Sequence, residues 1–256
     1  MAGPDVIDDA GVCGSFQGDS ASCMESRYMD FVFPPVPTPW VPIASSDKAF
    51  PVRRIFCVGR NYADHVKEMG QDPERHPPFF FSKPADAIVQ TGSSIPYPTL
   101  TEEFHYEIEL VVAIGKTAAS VSVEEANDHI FGYAVGIDLT RRDLQMNAMR
   151  AGMPWDFGKS FDQSAPCAPI HPVASTGILT DARIWLAVNG ETRQDATIAD
   201  LIWKVPELLS ILSHGIVLQP GDLVYTGTPA GVGAIVSGDK LTGGIDGLTD
   251  IEITIT

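Results

Sequence analysis

Three carboxylates define the chemistry open to this sequence. Glu107 and Glu109 flank Ile108 at the entry to an apolar, β-branched run, Leu110-Val111-Val112-Ala113-Ile114, which predicts a strand of a packed sheet. Side chains alternate across a strand, so the two glutamates share a face, roughly 6.5–7 Å apart. Asp138 follows a second apolar run, Phe131–Ile137, about thirty residues later. Carboxylates crowded at the mouth of buried strands repel each other and lose hydration, so something must compensate them. A solvated edge strand is the plain reading of an isolated Glu-x-Glu. Three carboxylates at the ends of two apolar strands also make an all-oxygen site for a hard cation, Mg2+ first, with Mn2+ or Ca2+ possible. His105 has the same parity as Glu107 but reads as a packing or supporting residue rather than a fourth ligand.

A second group of residues offers acid–base and anion-binding chemistry. In Gly59–Gly70, Asn61 as N-cap, Asp64 as the third helical residue and Gly70 as terminator predict a helix of about two turns. His65 and Glu68 then share a face, either as a surface ion pair or as a base and the carboxylate that orients it. Thr140 is expected to cap a helical Arg141-Arg142-Asp143-Leu144-Gln145, with Arg142 and Gln145 on one face. Lys159 lies in the loop-like Gly158-Lys159-Ser160, and Thr228 in the Gly/Pro-rich Gly227–Gly233. Taken singly, these would be a surface lysine, an arginine paired with Asp138 or Asp143, and turn chemistry.

Other chemistries lose support. The sequence has no G-x-x-x-x-G-K-[ST], no G-x-G-x-x-G between strand and helix, no H-E-x-x-H and no G-x-S-x-G. A formal net charge of -16, from 17 Lys+Arg against 33 Asp+Glu, argues against nucleic acid and anionic membranes as partners. The same charge means that a small anionic substrate needs a locally basic pocket or a bound cation. Cys13, Cys23, Cys57 and Cys167 lack paired spacing, which fits free thiols in a reducing compartment. With neither a transmembrane-length apolar run nor a secretory signal pattern, the expected location is cytoplasmic.

The elements that must position these residues follow from the chain in order. Residues 1–28, rich in Gly, Ser and Asp, read as a disordered extension, and 29–50, with five prolines between 34 and 42, as an extended arm. Residues 51–256 then form a single catalytic domain. Order is expected to begin with a strand at Val52–Gly59, Ile55 and Cys57 on one face and Phe56 and Val58 on the other. Further strands are expected at Phe79–Lys83, which ends in a turn, and at Ile184–Val188, Asp222–Thr226, near Lys240 and at Ile251–Ile255. Asn189-Gly190 signals a hairpin turn. Helices are expected at Ser122–Ile130 and at Thr197–Leu212, the latter interrupted near Pro206. Many short strands with few helices make a β-rich α+β fold.

Five stretches together point further: Val58-Gly59-Arg60-Asn61-Tyr62-Ala63-Asp64-His65, Glu107-Ile108-Glu109-Leu110, Asp138–Gln145, Gly158-Lys159-Ser160-Phe161 and Thr226–Gly233. In this order they resemble the fumarylacetoacetate hydrolase family, in its small acylpyruvase branch, from about Phe31 to the end of the chain. The resemblance implies a mixed β-sandwich roll, a homodimer, and metal-dependent hydrolysis of a carbon–carbon bond in a 2,4-dioxo acid. The implied substrate is fumarylpyruvate, the acylpyruvate of the gentisate route of aromatic breakdown. It also implies roles. Glu107, Glu109 and Asp138 would hold the metal, and His65, oriented by Glu68, would activate water. Lys159 would stabilise the developing enolate, while Arg142, Gln145 and Thr228 would bind substrate oxygens. Decarboxylation of a β-keto acid such as oxaloacetate, and isomerisation or hydration of a dienoic dicarboxylate, are rival activities on the same site. A metal-stabilised binding module is the rival outside enzymes.

Overall fold

The run from Ile108 forms the strand Ile108–Ile114, buried along its whole length. Its even residues Leu110, Val112 and Ile114 pack into one core and its odd residues Val111 and Ala113 into another. A strand apolar on both faces must be covered on both sides, and this one lies in the middle of an eight-stranded mixed sheet. The computed structural model describes residues 31–70 and 76–256. Of these, residues 37–256 belong to one unit, built from that sheet and a five-stranded sheet. The expected extension over 1–28, with Cys13 and Cys23, lies outside the described residues.

In the large sheet seven strands run in the order Phe79–Lys83, Arg54–Gly59, Asp222–Tyr225, Ile108–Ile114, Ile130–Ile137, Ala165–Cys167 and Ile88–Gln90, and the eighth, His171–Pro172, also pairs with Ile130–Ile137. The five-stranded sheet runs Glu191–Thr197, Arg183–Val188, Lys240–Ile245, Ile251–Ile255 and Ser93–Ile95. One core lies between the sheets: Leu110 and Val112 share it with Ile184, Leu186, Leu241 and Ile253. On the other side of the large sheet, Val111 and Ala113 pack with Ile55, Cys57, Cys167 and Tyr225, as the alternation expected for the Arg54–Gly59 strand requires. A three-stranded piece, Thr140–Arg141, Phe104–Tyr106 and Gly233–Ala234, completes the curl. The fold is strand-rich α+β. Cys57 and Cys167 are free and buried. Among the described residues, no helix is long and apolar enough to cross a membrane.

Several expected elements differ. Order precedes Val52: Trp40–Pro42 and Ala49–Pro51 pair antiparallel, and Val41 and Phe50 are buried, because a short edge pair tolerates prolines whose N–H is not needed. The expected helix at Ser122–Ile130 shrinks to a 3-10 turn, Ala126–His129, since Ile130 is drawn into the sheet. Ser122 and Glu125 still exchange the reciprocal bonds of a capping box. The expected helix at Thr197–Leu212 is a strand to Thr197, a 3-10 turn, and a helix Val205–Gly215 that carries Pro206 in its first turn, where proline costs no hydrogen bond. The Asn189-Gly190 hairpin forms as expected, both residues with positive φ.

Candidate functional site

Register builds the centre. Ile108–Ile114 and Ile130–Ile137 pair antiparallel with Ile108 opposite Ile137, and the Asp138 N–H donates to the Glu107 carbonyl at 2.8 Å. Asp138 is therefore delivered to the side of Glu107, and one ligand oxygen from each of Glu107, Glu109 and Asp138 lies within 4.8 Å of the others. All three are buried, at 5%, 1% and 1% exposure, which overturns the solvated-edge reading. His105 is not among them: its Nε2 lies 3.1 Å from Glu103 Oε2.

Cations face two of the carboxylates. Lys159 Nζ donates to Glu107 Oε2 at 2.8 Å, to Asp138 Oδ2 at 2.7 Å and to Thr140 Oγ1 at 2.7 Å. Arg142 bonds the other Glu107 oxygen and donates to Gln145 Oε1 at 3.1 Å. Lys83 Nζ stands 2.8 Å from Asp138 Oδ1. Burial works against the charge on Glu107, but Lys159 and then Arg142 outweigh it and hold its carboxyl below the usual range. Burial likewise opposes the Lys159 charge, yet Asp138 and Glu107 hold its ammonium above the ordinary lysine value. Glu109 differs. Burial, then Asp138 and Glu107, push its carboxyl well up, with the Gly227 N–H as a counterweight at 2.8 Å. An all-oxygen, buried donor set with one carboxylate left uncompensated fits a hard divalent cation.

The helix with His65 is shorter than expected, Ala63–Glu68, with Tyr62 rather than Asn61 at its N-cap. Asn61 is buried and spent elsewhere: its amide donates to Thr226 O at 2.8 Å and to Trp203 O at 3.0 Å, and accepts from Trp203 N at 2.7 Å. Those bonds fix where the Gly227 loop leaves its strand. His65 Nδ1 faces Glu68 Oε2 at 3.3 Å, and the Gly231 N–H donates to Glu68 at 3.1 Å. The His65 bond, opposed by burial and helped by Gly231, holds the Glu68 carboxyl below its ordinary range.

Thr140 does not cap a helix. It pairs with His105 as part of the strand Thr140–Arg141, and the helix runs Arg142–Arg150. Lys159 ends the short helix Asp156–Lys159, which lies against Gln145: a Cβ on Gly158 would stand 2.6 Å from the Gln145 Cβ. His65, Glu107, Glu109, Arg142, Gln145, Lys159 and Thr228 line one cavity, with Phe81 and Trp155 on its wall. An adjoining groove shares Phe81, Trp155, Lys159 and Arg60 and extends past Phe79. The Phe79 and Phe81 ring centroids lie 4.7 and 5.8 Å from that of Trp155.

Sequence reasoning missed Lys83, Thr140 as a partner of Lys159, and Gln194. Lys83 closes an apolar strand in Phe79-Phe80-Phe81-Ser82-Lys83, a placement that hints at a buried cation. Gln194 sits in the polar run Glu191–Asp195 and carries no such hint.

A family model described as fumarylacetoacetate (FAA) hydrolase C-terminal matches residues 54–256. A fumarylpyruvate hydrolase of Ralstonia sp is 45% identical over 177 residues, covering 69% of this chain and 92% of that protein. The mitochondrial oxaloacetate tautomerase FAHD1 of Arabidopsis thaliana is 40% identical over 202 residues, covering 79% and 90%. The crystal structure of fumarylpyruvate hydrolase from Pseudomonas aeruginosa in complex with Mn2+ and pyruvate superposes with a TM-score of 0.87 at 50% identity, covering 89% of this chain and 99% of that one.

Proposed function

Because the chain belongs to the fumarylacetoacetate hydrolase family, we propose that it hydrolyses a carbon–carbon bond in 2,4-dioxo acids, with fumarylpyruvate as substrate and fumarate and pyruvate as products. One observation carries this reading. Glu107 and Glu109 of a buried carboxylate triad, and His65 of a His–Glu pair, line one cavity together with Arg142, Gln145 and Lys159. Glu107, Glu109 and Asp138 would hold the cation, Mg2+ or the Mn2+ seen in the Pseudomonas aeruginosa relative. Such an ion, when bound, acts as a Lewis acid toward a 2-oxo acid.

The chain's own residues divide the remaining work. With Nδ1 turned to the Glu68 carboxylate, His65 has its other nitrogen, Nε2, to take a proton from water. That water adds to the distal carbonyl, the adduct collapses, and the bond to the pyruvate carbon breaks with the electron pair leaving on the pyruvate enolate. Lys159, positively charged and buried, stands where it can meet that negative charge. The Arg142 guanidinium, braced by Gln145, suits a carboxylate.

Charge arithmetic favours a dianion. Lys83, Lys159 and Arg142 equal the three carboxylates in number, although they contact only Glu107 and Asp138, so a divalent cation adds two positive charges that a dicarboxylic substrate cancels. Fumarylpyruvate meets that condition. Oxaloacetate meets it too, and the 40% identical tautomerase supports a second reading. In that reading His65 moves a proton at C3 of a 2-oxo dicarboxylate instead of activating water. We read the molecule as a cytoplasmic homodimer, for which light scattering should give twice the 27.5 kDa chain mass. The decisive assay follows loss of the 2,4-dioxo acid absorbance over a panel of acylpyruvates, with and without Mg2+ or Mn2+. Metal-dependent turnover with fumarylpyruvate preferred is the expected result. No turnover of any member, with metal present, overturns the hydrolase reading.

A further inference from the structure

Gln194 belongs to the strand Glu191–Thr197 of the five-stranded sheet, yet its side chain reaches the catalytic loop. Its neighbours Arg193 and Asp195 are exposed, while Gln194 is completely buried. Ordinary strand alternation turns it inward: Gln194 pairs with the core residue Leu186, two places on from Ala196 opposite Ile184. Beyond that pair Ala187 faces Thr192, which leaves Arg193 as the extra residue of a bulge that bends the strand. The Gly227–Gly233 loop sits on this bulge: a Cβ on Gly231 would stand 2.0 Å from Arg193 O.

The three partners of the Gln194 amide leave no choice of orientation. The Ile108 N–H can only donate, so the atom 3.0 Å from it is Oε1. Pro229 O can only accept, so the atom 2.8 Å from it is Nε2. Nε2 also lies 2.8 Å from Thr228 Oγ1, and there Gln194 must be the donor. The Thr228 hydroxyl is thereby committed as an acceptor on that side, and its own proton is left for a partner in the cavity that Thr228 lines. Ile108 is the residue between Glu107 and Glu109. One amide therefore links the strand bearing two of the carboxylates to the loop bearing Thr228.

We propose that Gln194 is a positioning residue that fixes Thr228 as a hydrogen-bond donor to an anionic oxygen of a bound 2-oxo acid. The inference rests on the reading of the cavity as a 2-oxo acid site. Its test is calorimetric titration of pyruvate into the Mn2+-loaded full chain. Four proteins are compared: wild type, Gln194→Glu, Thr228→Val and the double variant. A carboxylate at position 194 can accept but not donate, so it draws the Thr228 proton away from the cavity. Each single variant should weaken pyruvate by roughly tenfold or more, the scale of one hydrogen bond to a charged group. The double variant should be no weaker than the worse single, because Gln194 acts through Thr228. Thr228→Ser, which keeps the hydroxyl, should stay near wild type.

Wild-type affinity in Gln194→Glu, or losses that multiply in the double variant, overturn the proposal. So does a wild type that fails to bind pyruvate. Should Gln194→Glu melt early, Gln194→Met removes the amide without adding charge, and wild-type affinity there also overturns it. Absent acylpyruvate turnover with intact pyruvate binding overturns the hydrolase reading alone.

Discussion

The Gly227 N–H donates to Glu109 Oε2 at 2.8 Å, joining the loop that carries Thr228 to a buried carboxylate of the site. A backbone dipole offsets only part of a buried charge, whereas Glu107 and Asp138 each face full cations. Glu109 is thus the carboxylate whose charge most needs a further counterion.

Chelator-treated protein should gain thermal stability on addition of millimolar Mn2+ or Mg2+, because an ion that binds only the native state stabilises by mass action. At a free concentration one hundred times the dissociation constant the gain is about 2.7 kcal/mol. Glu109→Gln keeps the shape and the loop contact but loses the charge, and its melting temperature should not respond. A wild-type melting curve indifferent to both ions would contradict the assignment of the triad.

His65→Ala should lower kcat for acylpyruvate hydrolysis by roughly 10²–10⁴-fold, the range for loss of a positioned general base. Decarboxylation of oxaloacetate by the same variant should survive to a far greater degree, since it requires no activated water. Parallel loss of the two activities would show that His65 is not specific to water activation.

Lys159→Met leaves Glu107 and Asp138 buried without the ammonium that bridges them. Removing one member of a buried ion pair costs about 3–5 kcal/mol, measurable by urea denaturation of the metal-free protein. Lys159→Arg should not restore activity, because the ammonium donates to Glu107, Asp138 and Thr140 at once, a convergence that a planar fork does not match. Full stability in the methionine variant would sink this account.

Glu68 gives the pH dependence. Its folded carboxyl is held below the ordinary range, chiefly by His65, so the native state binds its proton less readily than the unfolded chain. The stability it contributes is present above the ordinary glutamate value of about 4.3 and is lost as pH falls through the lower folded value. The melting-temperature gap between wild type and Glu68→Gln should therefore be open at pH 6–7 and narrow on acidification toward pH 4. A gap that widens toward acid would reverse the assigned sign.

Much of the site was legible in local pattern. Alternation in Arg54–Gly59 and Ile108–Ile114 marked the strands, and the carboxylates announced themselves because charge at the end of an apolar run is costly. Local signals misled where tertiary contacts outbid them. Asn61 has the chemistry of an N-cap, yet its amide is worth more bridging Thr226 and Trp203. Ser122 and Glu125 formed their capping box, but the sheet claimed Ile130 before a helix could propagate. Thr140 was diverted to the ammonium of Lys159.

By itself the sequence determined which carboxylates stand at the ends of apolar strands, the strand-rich character and the pairing of His65 with Glu68, all of which depend on residue type and short spacing. Only the tertiary structure decided that Asp138 would stand beside Glu107, which is a matter of antiparallel register across about thirty residues. The same holds for Lys83 and Gln194. Lys83 reaches Asp138 from an edge strand of the large sheet, and Gln194 reaches Ile108 and Thr228 from an edge strand of the other. Local pattern names neither side chain's partner, because the forces that bury them arise from residues 34 to 86 positions away in the chain.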